Sequence, residues 1–377
     1  MAARYWVALL LLAQTGCVQT RQPDLARAAA YLWQQQAGDG GWHSHTYGLL
    51  RSGQSLTPFV LEALLEVPEQ IYPLPRAKVG RAIAFIRDHT RPDGALGMND
   101  PGIPDYPNYA TALAVSALYR ARGPGWEEQV RPMAAYLRVQ QFTEQNGWDR
   151  LDPVYGAWGM GGERRTKPVT GHVDLSMTRH VLDALRAAGV PDSDPVFECA
   201  RVFVERCQNY DPRRPDDGDG GFFFSTTEFD TNKAGHHGAH FRSYGTTTAD
   251  GILALLAIGR PASDPRVMAA ARWLTSHHHD IDVPGFVGPA YQRWPRGLAF
   301  YYSAASSQAF RALHVDAGAR VADSLRRTQR ADGSWANAEN LVKEDDPLIA
   351  SAFAVRALVG QPSRPVPPTR SSNETGG

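Results

Sequence analysis

The chain has 377 residues, with 39 basic and 39 acidic side chains, a formal net charge of zero and 43% apolar residues. That balance excludes the global positive field that nucleic-acid binding or adhesion to an acidic membrane draws on. The length suits a single repeat-built domain with a large core, so a division into several domains is not required.

At the N-terminus, Arg4, the apolar run "WVALLLLA" and "QTGC" ending at Cys17 predict an export signal over residues 1–17. The run is too short to span a bilayer, which takes roughly 20 apolar residues. Thr15 and Gly16 before Cys17 suit a bacterial lipoprotein box, although Gln14 stands where such boxes carry an aliphatic residue. Cys17 is therefore a candidate lipidation site. The expected location is exported, either periplasmic or tethered to a membrane through Cys17.

From there two classes of helix alternate along the chain. The first is amphipathic and charged on one side: "DLARAAAYLWQQQ", "RAKVGRAIAFIRDH", "EEQVRPMAAYLRVQQ", "DPVFECARVFVERCQ", "DPRVMAAARWLTSHHH" and "ARVADSLRRTQ". The second is apolar and rich in small residues: "SLTPFVLEALLE", "NYATALAVSALYRA", "DLSMTRHVLDALRAAG", "TTTADGILALLAIG", "YSAASSQAFRAL" and "DPLIASAFAVRALVG". Helices apolar on most sides belong inside, and helices with a charged face belong outside. Strict alternation of six and six predicts an all-α fold, an α6/α6 toroid of six helical hairpins over residues 22–360. Breaks in spacing at 149–171 and 210–244 predict two insertions at one rim. Cys199 and Cys207 share one helix, where the rise separates them by roughly 12 Å, too far for a disulfide. The segment 361–377, "QPSRPVPPTRSSNETGG", is expected to be a disordered tail.

Three charged helices end in related turns: "QQQAGDGGW" from Gln34, "QQFTEQNGW" from Gln140 and "RRTQRADGSW" from Arg326. Glycine ends the helix in a left-handed conformation, and the aromatic ring packs back over the turn. These segments resemble the QW repeats of the prenyltransferase and squalene-cyclase superfamily, and the resemblance extends from Asp24 to Gly360. Within it, "VDLSMTRHVLDALRAAG" and "RSYGTTTADGILALLAIG" resemble an exported bacterial branch with no assigned reaction.

The resemblance implies a toroid and directs attention to the residues that carry chemistry in it. Class II terpenoid cyclases protonate an alkene with the central aspartate of a DxDD motif at an inner-helix start. "HVDL" stands at the comparable place, so Asp174 matches the acid, while His172 and Leu175 replace its flanking carboxylates. His172 is expected to support the anion that proton transfer leaves. The competing reading makes Asp174 the N-cap of its helix. The zinc site of protein prenyltransferases retains Asp219 but has Gly221 and Ser303 at its other ligand positions, so no zinc is expected. His236, His237 and His240, with Asp230 nearby, read as a rim loop rather than a metal site, and "HHHD" at 277–280 as a helix end that suits the dipole. In "TTAD", Asp250 matches a capping pattern. Tyr244, Arg242, Trp158, Tyr155, Phe222, Trp294 and Tyr302 are the candidate ligand-binding residues. They stand among aromatics at inner-helix starts and in the insertions, which either line an apolar cavity or fill the barrel. The two functions in view are a terpenoid cyclase, isomerase or binding protein for an isoprenoid-type ligand without cofactor, and a non-catalytic exported scaffold. The scaffold would bind a protein or envelope component through its rim loops.

Overall fold

The computed structural model describes residues 22–97, 106–162, 165–227, 231–238 and 240–361. The export segment with Cys17, Asp230, and the tail beyond Gln361 lie outside the described residues. In chain order the helices are α1 (Pro23–Gln34), α2 (Leu56–Leu65), α3 (Arg76–Asp88), α4 (Pro107–Ala121), α5 (Trp126–Val139), α6 (Leu175–Ala187) and α7 (Pro195–Arg206). They continue with α8 (Gly245–Ala257), α9 (Pro265–His277), the short α10 (Trp294–Gly297), α11 (Ala299–Ala312), α12 (Ala319–Thr328) and α13 (Pro347–Leu358). The twelve long helices alternate as the sequence predicts, and α10 is an addition it did not announce.

Helices α2, α4, α6, α8, α11 and α13 each pack on the next, and α13 returns to α2, so the inner ring is closed. Ser55, Tyr106, Ser176, Thr246, Tyr301 and Ile349, from the starts of these six helices, line one pair of adjoining cavities. All six therefore run in the same direction, and the architecture is the expected α6/α6 toroid. Local chemistry starts several helices in the same way. Asp194, Asp264 and Asp346 each accept a backbone N–H, from Val196 at 3.0 Å, Arg266 at 2.9 Å and Leu348 at 2.9 Å. Each is followed by a proline at the first helical position, whose missing N–H costs nothing there.

The glutamine–turn–aromatic segments are the joints of the ring. The indoles of Trp42, Trp158 and Trp335, all fully buried, donate to the carbonyls of Leu32, Leu137 and Leu325 at 2.7, 2.7 and 2.8 Å. Each thereby satisfies a carbonyl near the end of an outer helix. The amide nitrogens of Gln36, Gln141, Gln208 and Gln329 bridge a carbonyl of their own turn and one at the start of the next outer helix. For Gln329 the second carbonyl is Asp24, at 2.8 Å, so this bond joins the last outer helix to the first. The backbone N–H after each turn then reaches an inner-helix hydroxyl: Trp42 to Thr57, Leu96 to Thr111, Trp158 to Thr178, Phe222 to Thr248 and Trp335 to Ser351.

In the second of these joints the structural tryptophan is Trp158 and not Trp148 of "QQFTEQNGW". Trp148 packs edge-on against Phe142, with centroids 5.4 Å apart. The turn glycine is Gly156, at φ 86°, where a Cβ would stand 1.9 Å from the Cys199 carbonyl oxygen. The intervening turn displaces the aromatic by ten residues, a shift that a local pattern conceals. Cys199 and Cys207 are both free thiols.

Candidate active site in the barrel mouth

The barrel is neither empty nor filled. Its floor, at the C-terminal ends of the inner helices, is occupied by charge. Arg356 of α13 contacts Glu62 at 3.2 Å and Glu66 at 3.3 Å, and Arg120 of α4 contacts the same two carboxylates at 3.4 and 3.1 Å. One layer up, Arg179 of α6 pairs with Asp183 at 2.9 Å and donates to Gln308 of α11 at 2.6 Å.

Above these layers lies a cavity of about 280 Å³, adjoined by one of about 160 Å³ that shares Tyr106, Tyr109, Val342 and Phe353 with it. Of the two arrangements open to the rings, lining a cavity or filling the barrel, several of them line a cavity. Tyr106, Tyr109, Phe224, Tyr244, Tyr301 and Phe353 form its aromatic wall, and Phe59 the wall of the smaller space. Both insertions contribute to the mouth: Met160 comes from the first, with His172 directly after it, and Phe224 and Lys233 from the second. The Lys233 ammonium lies 3.5 Å from the centroid of the Phe224 ring.

Two carboxylates stand on this wall. Asp174 is 3% exposed and caps α6, its Oδ1 accepting the Met177 N–H at 2.7 Å, while Oδ2 is 2.8 Å from Nε2 of His172. The capping arrangement and the histidine partnership therefore coexist in one side chain. Asp250 is different. The sequence placed it as a cap, but α8 begins at Gly245 with Tyr244 as the N-cap, so Asp250 is a full turn inside the helix and points inward. It is 1% exposed; its Oδ2 accepts the Tyr301 hydroxyl, which also hydrogen-bonds Ser176, and its Oδ1 has no hydrogen-bond partner. Burial raises its pKa to about 6, against the lowering influence of Arg179 and of the Tyr301 hydrogen bond. Burial likewise raises the pKa of Tyr301 and Tyr244 well above the ordinary phenol range. Glu344 holds the helix that carries Tyr301: it accepts the N–H groups of Phe300 at 3.0 Å and Tyr301 at 2.8 Å, and burial raises its pKa to about 7.

Of the residues expected to form the site, His172, Asp174 and Tyr244 meet at the cavity. Trp158 and Phe222 are consumed in the joints, Tyr155 donates to Glu144 at 2.9 Å, and Tyr302 is fully buried beside His278 with its hydroxyl 2.8 Å from Nδ1. Trp294 stacks on Phe286 at 6.5 Å, beyond the rim lysine. Arg242 lines a separate outer cleft with Asp219 and His240. His236, His237 and His240 are exposed on a two-stranded hairpin of β1 (His236–His237) and β2 (His240–Phe241). Among the described residues no cluster of metal-ligating side chains is found. Sequence reasoning missed Asp250 and Tyr301 as partners. The signal available was an acidic residue inside the apolar segment "TTTADGILALLAIG", with no i±3 or i±4 cation to pair it.

No protein-family model matches the chain, and no curated protein matches it in sequence. Solved structures match in fold. Type II terpene cyclase MstE from Scytonema is 17% identical, with a TM-score of 0.58 over 90% of this chain and 98% of that chain. A variant of that cyclase in complex with geranylgeranyl dihydroxybenzoate, its substrate, is 14% identical, with a TM-score of 0.55 over 90% and 96%. A D-mannose isomerase is 11% identical, with a TM-score of 0.56 over 89% and 96%. These likenesses show the fold, an α/α toroid. The same fold is shared by a cyclase and a sugar isomerase, so the chemistry has to be argued from the site.

Proposed function

We propose that the protein is an exported toroid that carries out a proton-initiated isomerisation or cyclisation of an isoprenoid-type hydrophobic ligand in the barrel cavity. The observation that carries this reading is the wall itself, where six aromatic rings and two buried carboxylates line one cavity. Apolar rings favour a hydrocarbon chain, and their faces attract the positive charge that develops when an alkene is protonated. A carboxyl group is the proton source such a reaction needs, and Asp174 with His172 and Asp250 with Tyr301 supply two of them. Export rests on residues 1–17, with Cys17 as the proposed lipid tether.

A scaffold acting through its rim loops would have no use for a cavity with an unsatisfied buried carboxylate at its wall. A sugar would require polar contacts over most of its surface, whereas the accessible surface of the cavity is mainly apolar although polar side chains stand among the rings. The test compares wild type with the double variant Asp174→Asn/Asp250→Asn, each incubated with farnesol, geranylgeraniol and squalene, with products and retained lipid read by mass spectrometry. Conversion by wild type, with binding but no conversion by the double variant, is the expected result. Absence of both bound lipid and conversion in wild type overturns the reading.

A further inference from the structure

The two carboxylates of the cavity are not equivalent, and their hydrogen bonds divide the work between them. We infer that Asp250, and not Asp174, donates the initiating proton, and that Asp174 with His172 takes the final one. This rests on the proton-initiated reading above and reverses the role that the sequence assigns to Asp174.

Only one oxygen of Asp250 is left for a proton. Tyr301 donates to Oδ2 of Asp250, and Oδ1 has no partner although the residue is 1% exposed. A proton on this carboxyl therefore sits on Oδ1, an atom buried just behind the surface of the cavity that Asp250 lines, so its transfer requires the side chain to turn toward the ligand. When it leaves, the anion keeps the Tyr301 hydrogen bond, itself supported by Ser176, and the nearby charge of Arg179. The Asp174 carboxylate is arranged as an acceptor: Met177 N–H occupies Oδ1, and His172 stands beside Oδ2 at 2.8 Å. Two carboxyl groups in one site whose environments differ in this way commonly divide into donor and acceptor. His172 also has a route to solvent, with 29% of its side chain exposed, so a proton received there can leave.

The balance closes. The Asp250 O–H breaks, its proton forms a C–H bond at one alkene carbon, and the positive charge appears on the other. Loss of a C–H proton next to the final cation forms the product alkene, and that proton goes to Asp174, which passes it to His172. His172 releases it to water, and Asp250 takes one from water to complete the cycle; nothing is oxidised or reduced. The groups facing Asp250 are Asp174, Arg179 and Asp183 from α6, Tyr301 from α11 and Tyr244 at the head of its own helix. The carboxylates among them favour its protonated form and Arg179 opposes them.

The experiment uses the full chain and the same three probes, with Asp250→Asn, Tyr301→Phe, Asp174→Asn and His172→Ala compared by consumption and by product identity. Asp250→Asn is expected to lower consumption by about 100-fold or more, the scale of a lost general acid. Asp174→Asn and His172→Ala are expected to keep consuming substrate, with the product alkene replaced in part by the alcohol that water forms on the unquenched cation. Wild-type consumption is expected to fall as the pH rises through about 6, the value to which burial raises Asp250. Tyr301→Phe, which removes a hydrogen bond to the anion, is expected to move that pH midpoint upward. Loss of consumption in Asp174→Asn, whether or not Asp250→Asn remains active, overturns the assignment and leaves a proton-initiated reaction standing. An unchanged product slate and rate in Asp250→Asn also overturns it. If wild type converts none of the probes, the parent reading falls and this assignment falls with it. Circular dichroism confirms folding for each variant, and Tyr301→Phe provides the readout should Asp250→Asn fail to fold.

Discussion

The floor and the mouth of the barrel both bury carboxylates, and they treat them in opposite ways. On the floor, Glu62 and Glu66 face Arg356 and Arg120 within 3.1 to 3.4 Å. At the mouth, Asp250 has a phenol on one oxygen and nothing on the other. A buried charge that is compensated on every side holds a structure together, whereas one left partly uncompensated is retained at a cost that a function has to justify. Substitutions on the floor should therefore cost stability, and substitutions at the mouth should impair chemistry while relieving the cost of the buried charge.

The largest effect is expected on the floor. Arg356→Ala leaves Glu62 and Glu66 buried without their central cation, and the expected loss is about 3–5 kcal/mol, read by chemical denaturation. Replacing Glu62, Glu66 and Arg356 together by Gln, Gln and Met should recover much of that loss, because the penalty lies in the orphaned charge. A loss below about 1 kcal/mol for Arg356→Ala would show that the floor is wetter than its burial indicates.

The same comparison predicts a gain of stability at the mouth. Asp250 has a folded pKa near 6 against an unfolded one near 3.9, so between those values the folded state binds the extra proton. Stability through this group is greatest below about 4 and declines as the pH rises through about 6. Asp250→Asn removes the charged form and should stabilise the protein at pH 8 by up to about 3 kcal/mol, with the gain vanishing near pH 4. Thermal melts across that range check the slope. A variant less stable at pH 8 than wild type would mean that the carboxylate is compensated after all.

His278 gives the opposite slope and so separates the two kinds of buried group. Burial, with Arg320 nearby, lowers its pKa to about 4, while an unfolded histidine titrates near 6.5. Between those values the unfolded chain binds the extra proton, so stability through His278 falls as the pH drops from about 6.5 towards 4. His278→Gln should flatten the acid limb of the melting curve by roughly 2–3 kcal/mol between pH 7 and 4. An acid limb that is unchanged in the variant would assign it to other groups.

How far these features could be read from the sequence differs by kind. The helical alternation is written in short-range periodicity, which each helix carries by itself, so the toroid and its inner ring were legible. "DP" at 194, 264 and 346 announced helix starts for the same local reason. The Gln–Gly–Trp joints were visible as a motif, but their second bond was not, since Gln329 reaches Asp24 at the other end of the chain. The floor was invisible for the same cause: Glu62 and Arg356 are 294 residues apart, and each alone is only a charge in an apolar helix. Asp174 was found because "HVDL" stands at an inner-helix start where the resemblance places the acid of a DxDD motif. Asp250 was misread because "TTAD" has the spacing of a cap, and only the actual start of α8 at Gly245 shows the carboxylate to be a turn further in.

The joints allow the smallest and most local test of this distinction. Gln329 donates to Gly333 within its own turn at 3.0 Å and to Asp24 across the closure at 2.8 Å, and the neighbouring Arg326 pairs with Asp24 at 3.1 Å. Gln329→Ala removes these two hydrogen bonds and the one its Oε1 accepts from the exposed Arg27, in a half-buried place, which predicts a loss of about 1–2 kcal/mol. Because the ring is also closed by α13 packing on α2, the loss should be local to the first and last outer helices. Hydrogen exchange is the measurement that resolves it, with faster exchange expected in α1 and α12 and unchanged protection in α6 and α8. Uniformly faster exchange around the ring would mean instead that the toroid opens as one unit once this single tie is cut, and that closure contributes to the geometry of the distant mouth.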